Sequence, residues 1–145
     1  MSFELLSVAF VSFILGVLIG RRSSDSAKNT SVPDYAERVN AYKEIFDAFV
    51  LADEALTTVS VEEGVEGQLS DDKKQAVWDS IKTLNRVFSR VRFLLPQDIN
   101  IAMDELRDVG HLGISWSKRL DELRRIKEAI YTLARKDVGV DQTRG

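Results

Sequence analysis

The sequence predicts an all-α protein in which a single N-terminal transmembrane helix precedes an antiparallel, up-and-down bundle of about four helices. Three observations support this prediction. The stretch Leu5–Gly20 has no charged residue, apolar residues recur every three or four positions through most of the remaining chain, and the two prolines, Pro33 and Pro96, separate helical segments. With 145 residues, the chain has room for one compact domain after the apolar stretch.

Residues 1–20 are interpreted as a retained membrane anchor. An α-helix rises about 1.5 Å per residue and the hydrocarbon core of a bilayer is about 30 Å thick, so about 20 residues span it. A cleaved signal peptide would begin with basic residues, whereas no Lys or Arg precedes Arg21. A buried helix of a small soluble bundle would have a polar face, which this stretch lacks.

The charges beside the apolar stretch predict its orientation. Arg21 and Arg22 follow it and no basic residue precedes it, and Lys and Arg are enriched on the cytoplasmic side of membrane helices. We therefore expect the N-terminus outside and the C-terminal domain in the cytoplasm, with Arg21 and Arg22 near the lipid headgroups. Residues 21–33 are polar and rich in serine, which is typical of a flexible tether.

Small residues recur on one face of the predicted anchor. Ser12, Gly16 and Gly20 are spaced four apart, a pattern that lets two helix backbones approach closely in lipid. The spacing predicts a transmembrane packing seam for a second copy or another membrane protein. The alternative is that these residues only reflect the ordinary composition of a membrane helix, in which glycine is common.

The first helix of the soluble domain is predicted from Asp34 to about Ser60. Ser31 and Asp34 have the spacing of a capping box, and a long apolar stripe follows them. The stripe comprises Tyr35, Val39, Tyr42, Phe46, Phe49, Ala52, Leu56 and Val59. Residues 61–69 contain two glycines and three glutamates, so we expect an exposed acidic loop there.

The second helix is predicted from Ser70 to Leu95. The hydroxyl of Ser70 can cap it, and Asp71 and Asp72 suit the positive end of the helix dipole. Its heptad-like stripe comprises Val77, Ile81, Leu84, Phe88, Val91 and Leu95. Pro96 disfavours a helical conformation at the preceding residue and therefore ends this helix.

Two shorter patterns complete the predicted bundle. The third helix extends over Gln97–Val109 and ends before Gly110, and the fourth is capped by Ser115 or Ser117 and ends near Lys136. The predicted organisation is an anchor over 1–20, a tether over 21–33, a soluble helical bundle over 34–137 and a frayed tail over 138–145.

Charge alternates from one predicted helical segment to the next. The formal net charge is −4 over residues 34–60, +3 over 70–95, −3 over 96–110 and +3 over 115–137. Antiparallel packing of successive segments therefore places unlike charges side by side. Exposed ion pairs contribute only about 0.2–1 kcal/mol each, so the alternation favours correct pairing more than stability.

Residue types with distinctive chemistry are scarce. The chain has no cysteine and one histidine, His111, which we interpret as an ordinary loop residue. Adjacent carboxylates on a helix point away from each other, so we interpret three acidic pairs as solvated: Asp53/Glu54, Asp71/Asp72 and Asp104/Glu105. No glycine-rich phosphate loop occurs, and the net charge is −3. We expect no enzymatic activity, cofactor, metal, small-molecule substrate or nucleic-acid partner.

Three basic residues are spaced four apart on the second helix. Lys82, Arg86 and Arg90 form a possible basic contact face, which would meet anionic lipid headgroups or an acidic protein surface. The alternative is that they only pair with acidic residues of neighbouring helices.

These features predict a single-pass membrane protein whose cytoplasmic bundle acts through protein–protein interaction, as an accessory, assembly or regulatory subunit of a membrane complex. Its partners would be the lipid bilayer and another membrane or membrane-associated protein, or a second copy. One alternative is a membrane-active effector, such as a lysis or defence protein, that oligomerises through its transmembrane helix. Another is a tethered hydrolase that uses His111.

Overall fold

The computed structural model describes residues 34–66, 69–111 and 113–139. Within these ranges most residues are helical and none forms a strand, which confirms the prediction of an all-α bundle. The helices are α1 (Tyr35–Glu66), α2 (Asp71–Val91), α3 (Gln97–Asp104), α4 (Leu106–His111) and α5 (Trp116–Asp137), with a 3₁₀ turn at Arg92–Leu94 after α2. No helix in the described part of the chain has the length and apolar character needed to cross a membrane. The predicted anchor and tether, residues 1–33, lie outside the described residues.

Contacts at both ends of α1 give the directions of the long helices. Near the start of α1, Glu44 pairs with Arg90 at the end of α2. Near the end of α1, Glu62 pairs with Lys73 in the first turn of α2. These two pairs show that α1 and α2 are antiparallel.

The last helix also runs antiparallel to α1. Arg38 in the first turn of α1 pairs with Asp137 at the end of α5, with 2.9 Å between Nη1 and Oδ1. At the other end, the backbone N–H of Trp116 donates to Glu63 at 3.3 Å. Because α2 and α5 both oppose α1, they are parallel to each other.

The third segment of the bundle is broken into two helices. The sequence predicts one helix over 97–109, whereas the structure has a turn at Glu105 between α3 and α4. Glu105 pairs with Arg125 of α5, and the guanidinium of Arg119 donates to the carbonyl of Val109. α3 and α4 therefore run antiparallel to α5, and Gly110 lies inside a helix rather than after one.

The predicted apolar stripes form the core. The largest fully buried side chains come from every helix: Phe49, Ile45, Leu56, Val59, Val77, Leu84, Ile99, Met103, Leu106, Leu123, Ile126 and Ile130. Burying one such side chain is worth about 1.5–3 kcal/mol, so this stripe-to-stripe packing is the main force that holds the bundle together.

The end of α1 differs from the sequence prediction. α1 continues to Glu66, through the residues expected to form an acidic loop. Repulsion between the glutamates does not unfold this part of the helix. Glu62 pairs with Lys73, and Glu63 accepts a hydrogen bond from the backbone N–H of Trp116. Glutamate is also a good helix former, so partners from α2 and α5 suffice to keep this last turn helical.

The two serine caps behave differently. Ser115 is the N-cap of α5, and its Oγ accepts from the backbone N–H of Lys118 at 3.3 Å. Ser70 is the N-cap of α2, but its side chain makes no capping hydrogen bond. For α1, the backbone N–H of Asp34 donates to Glu37, which is the reciprocal bond of a capping box between these two residues. The predicted box paired Ser31 with Asp34, and Ser31 lies outside the described residues.

The end of α5 is more ordered than the predicted frayed tail. Val138 is buried in the core, and its backbone N–H donates to the carbonyl of Ala134 at 3.0 Å. Gly139 follows with φ of 78°, a left-handed conformation that glycine adopts without strain and that commonly ends a helix. Residues 140–145 lie outside the described residues.

Candidate functional site

An open groove with a volume of about 310 Å³ lies between α2 and α4. Its lining comprises Gln75, Trp78, Ile81, Lys82, Asn85, Leu106, Arg107 and Gly110. The residues from α2 recur every three or four positions, so they share one side of that helix. We call this feature the α2–α4 groove.

The floor of the α2–α4 groove is apolar. Ile81 and Leu106 are core residues, and Trp78 is half-buried beside them. On α4, a Cβ atom added to Gly110 would lie 3.9 Å from Cζ3 of Trp78, which is an ordinary van der Waals distance. The missing side chain at Gly110 therefore leaves the groove open beside the indole.

A buried arginine holds the tryptophan wall of the groove in place. The guanidinium of Arg119 lies 5.3 Å from the ring of Trp78 and 5.2 Å from the ring of Trp116. Arg119 also donates to the carbonyl of Val109, at the end of α4 beside the groove. Burial lowers the pKa of Arg119, but arginine remains charged in proteins. One cation thus connects α2, α4 and α5 around the groove.

The rim of the groove carries cationic side chains. Lys82 is exposed and makes no ion pair with any described residue. Across the groove, Arg107 is exposed and its guanidinium is 3.6 Å from Asp104. Asp79, one turn before Lys82, accepts a hydrogen bond from Gln75 at 2.9 Å. An occupant of the groove therefore meets an apolar floor and, at its edge, an ammonium group that no described carboxylate pairs with.

The structure separates the predicted basic face into three environments. Lys82, Arg86 and Arg90 are all exposed on α2, but Lys82 borders the groove and Arg90 pairs with Glu44 of α1. Arg86 makes no ion pair among the described residues. The other predicted site residues, which are Ser12, Gly16, Gly20, Arg21 and Arg22, lie outside the described residues.

The interpretation of Asp53 as a solvated carboxylate is wrong. Asp53 is 1% exposed, and it accepts from Nε and Nη2 of Arg124 at 2.9 and 3.0 Å. The hydroxyl of Thr57 donates to it at 3.1 Å, and the ammonium group of Lys127 is 3.8 Å away. Its neighbour Glu54 is exposed, as predicted. The sequence contains a signal for the burial of Asp53, because this residue lies four positions after Phe49 and therefore on the face of the apolar stripe.

A second polar cluster joins the start of α1 to the end of α5. The hydroxyl of Tyr42 donates to Asp137 at 2.7 Å, and Arg38 pairs with the other oxygen of the same carboxylate. Burial, reinforced by the hydrogen bond to Asp137, raises the pKa of Tyr42 far above its ordinary value. The cluster offsets the unfavourable position of an acidic residue at the negative end of a helix dipole.

The described residues contain no group of three or more His, Cys, Asp and Glu side chains that could hold a metal ion. His111 is the last residue of α4. Comparisons with models of protein families, with curated proteins and with solved structures gave no match. The fold and the site together define a helical bundle with a cation-edged apolar groove on its surface.

Proposed function

We propose that the protein is a membrane-tethered adaptor whose helical bundle binds a segment of another protein in the α2–α4 groove. The observation that carries this proposal is the combination of an apolar floor, a wall fixed by Arg119 and the ammonium group of Lys82, which has no ion-pair partner in the described part of the chain. It acts by binding, as an accessory or assembly subunit, and performs no reaction of its own.

The chemistry of the groove defines the segment that fits it. Trp78, Ile81 and Leu106 favour an apolar anchor residue, because tryptophan and buried aliphatic side chains contribute strongly to protein interfaces. Lys82 and Arg107 favour a carboxylate near that anchor. The proposed occupant is therefore an amphipathic segment that carries Asp or Glu beside a large apolar residue.

The membrane part of the proposal rests on the sequence. Residues 1–20 form the anchor, residues 21–33 form the tether, and the bundle faces the cytoplasm because Arg21 and Arg22 follow the apolar stretch. A short tether keeps the groove close to the bilayer. The partner is accordingly another membrane or membrane-associated protein.

Site-directed photo-crosslinking in native membranes tests the groove. A benzoylphenylalanine at Asn85, which lines the groove, is expected to crosslink to one partner, whereas the same group at Glu128, an exposed position on α5, is not. The crosslink at Asn85 should be lost in Lys82→Glu, because the ammonium group becomes a carboxylate that repels the acidic segment.

Lys118→Glu is the matched control for the charge reversal, since Lys118 is exposed on α5 and does not line the groove. The control should retain the crosslink at Asn85. Equal crosslinking from Asn85 and Glu128, or equal loss in both charge reversals, would refute binding in the groove.

A further inference from the structure

Two large apolar side chains are exposed where α2 meets α3. Phe93 in the 3₁₀ turn is 76% exposed, and Ile101 on α3 is 59% exposed. The side chain of Asn100 donates to the carbonyls of Arg92 and Leu95 at 3.2 and 3.5 Å, so the first turn of α3 is fixed to the 3₁₀ turn. Phe93 and Ile101 therefore belong to one corner, which we call the α2–α3 corner.

Arginines flank this corner. Arg86 is exposed on α2 two turns before the 3₁₀ turn that carries Phe93, and it makes no ion pair among the described residues. Arg92 is exposed, with its guanidinium 5.6 Å from the ring of Phe88. Arg90 lies between them and pairs with Glu44. The corner thus combines two apolar tips with two cations that pair with no carboxylate in the described ranges.

The corner lies at the end of the bundle where the chain enters from residues 1–33. The pair between Arg90 and Glu44 and the cluster of Arg38, Tyr42 and Asp137 place the start of α1, the end of α2 and the end of α5 together. Exposed acidic residues around this end are Asp34, Glu37 and Glu44 near the start of α1 and Asp98, Asp104 and Glu105 on or just after α3. Glu44, Asp104 and Glu105 each have an arginine partner, and the exposed face of α2 that leads to Phe93 carries arginines.

We infer that the α2–α3 corner docks on an anionic lipid surface, with Phe93 and Ile101 in the interfacial region and Arg86 and Arg92 at the phosphates. Aromatic and aliphatic tips beside Lys or Arg are typical of segments that lie in the membrane interface. Each basic residue near an anionic surface strengthens binding roughly fivefold. This contact fixes the orientation of the bundle on the bilayer and is independent of what the α2–α4 groove binds.

The size of the apolar surface favours lipid over a second copy of the chain. A stable protein interface buries about 800 Å² on each partner, whereas this corner offers two protruding side chains among charged ones. A bilayer needs no complementary pocket for such tips. Its phosphates supply anionic partners for Arg86 and Arg92, which have none among the residues that the structure describes.

Fluorescence of a labelled full-length chain in lipid nanodiscs tests this inference. The chain has no cysteine, so Gln97→Cys, an exposed position between Phe93 and Ile101, takes one environment-sensitive dye. Val61→Cys, which is exposed on the last turns of α1 at the other end of the bundle, is the matched control. In nanodiscs that contain phosphatidylserine, the dye at position 97 should be quenched by headgroup-labelled lipid and shielded from aqueous iodide, and the dye at position 61 should not.

Substitutions then separate the apolar and the charged contributions. Phe93→Ser should expose the dye at position 97 to iodide, whereas Leu51→Ser, at another exposed apolar position, should leave it shielded. Arg86→Gln and Arg92→Gln should each lower the ratio of docked to undocked chain roughly fivefold. Lys118→Gln should leave that ratio unchanged.

Three outcomes would overturn the inference. One is equal quenching at positions 97 and 61, and another is equal docking on neutral and anionic nanodiscs. The third is shielding of position 97 from iodide without quenching by headgroup-labelled lipid, which would show that residues of this chain or a second copy cover the corner.

Discussion

Asp53 is the least exposed charged residue in the described part of the chain. A carboxylate removed from water needs charged or hydrogen-bonding partners, and Arg124, Lys127 and Thr57 supply them. The hydrogen bond to Asp53 raises the pKa of Arg124 in turn. The cluster specifies the register between α1 and α5, because a one-turn shift would leave the carboxylate buried without its partners.

Replacing Asp53 should destabilise the bundle strongly. Asp53→Ala leaves Lys127 and Arg124 without their anion, and we expect a loss of about 2–3 kcal/mol in the free energy of unfolding. This is below the value for a fully buried pair because Arg124 is 42% exposed and can be hydrated. Glu54→Ala, at the exposed neighbour, should change stability by less than about 0.5 kcal/mol. Urea unfolding followed by circular dichroism measures both, and equal values for the two variants would contradict the cluster.

Ionisation of Tyr42 limits the stability of the folded protein at alkaline pH. Because burial and Asp137 raise its pKa above the ordinary value of about 10, the folded state holds the phenolic proton more tightly than the unfolded state. The stability that Tyr42 contributes is therefore complete below pH 10 or so and is lost as the pH rises above that value.

Tyrosinate absorbance tests the titration of Tyr42. While the helices are intact, the native chain and Tyr42→Phe should show equal tyrosinate absorbance. The native chain should show more tyrosinate absorbance than the variant only as helicity is lost at alkaline pH. In urea the same difference should appear near the ordinary pKa of tyrosine. Ionisation of Tyr42 near that value with full helicity would show that its hydroxyl is not held as the structure describes.

Asp53 and Arg119, the two charged residues that are buried in the described part of the chain, mark the limit of sequence reasoning at this scale. Asp53 and Arg124 are 71 positions apart, so the partner that makes burial of Asp53 tolerable is not visible in its local pattern. The burial of Arg119 also depends on a distant partner. Trp116 lies three residues before it on α5, but Trp78, the other ring that it contacts, belongs to α2. Periodicity identifies positions that face the core, but the partners of a polar residue there depend on tertiary packing.

Helix boundaries were predictable where local signals act alone. The second helical segment ends before Pro96, as the sequence predicts, although its α-helix ends at Val91 and a 3₁₀ turn completes it. Ser115, one of the two serines that the sequence offers as a cap, begins α5. The end of α1 and the turn at Glu105 were not predictable, because Lys73, Trp116 and Arg125 stabilise them from other helices. Gly110 was expected to stop a helix, but it lies within α4, where its lack of a side chain opens the groove.

The contrast between the two serine caps can be measured. Ser115→Ala removes a hydroxyl that accepts from the N–H of Lys118, and we expect a loss of about 0.5–1 kcal/mol, in the lower part of the usual range because the bond is 3.3 Å long. Ser70→Ala removes no capping bond and should cost less. Urea unfolding of the two variants compares them, and a larger loss for Ser70→Ala would reverse the assignment.

The ion pairs between elements show the arrangement that the alternating charge predicts. α1, which is acidic, pairs with basic residues of α2 through Glu44 and Glu62, and with α5 through Asp53. The acidic third segment pairs with α5 through Glu105. Most of these pairs are exposed and individually weak, so they select neighbours while the apolar stripes supply the stability.

The ends of the bundle differ in a way that matters for the proposed function. One end holds the start of α1 and the α2–α3 corner, and the other holds the ends of α1 and α4. The α2–α4 groove lies between them on the side of the bundle. A bundle whose α2–α3 corner faces the bilayer would therefore present the groove laterally to a neighbouring protein at the membrane surface.

The most direct test of the central claim is to fill the groove without disturbing the fold. Gly110→Leu places a side chain beside Trp78 at a helical position where glycine is the poorer helix former, so the free energy of unfolding should be retained. Gly113→Leu, at a position with open space around its Cβ, is the matched control. We predict that the Asn85 crosslink to the partner in native membranes is lost in Gly110→Leu and kept in Gly113→Leu, with both variants folded. A folded Gly110→Leu variant that still gives the full crosslink would contradict the claim that the α2–α4 groove is the binding site.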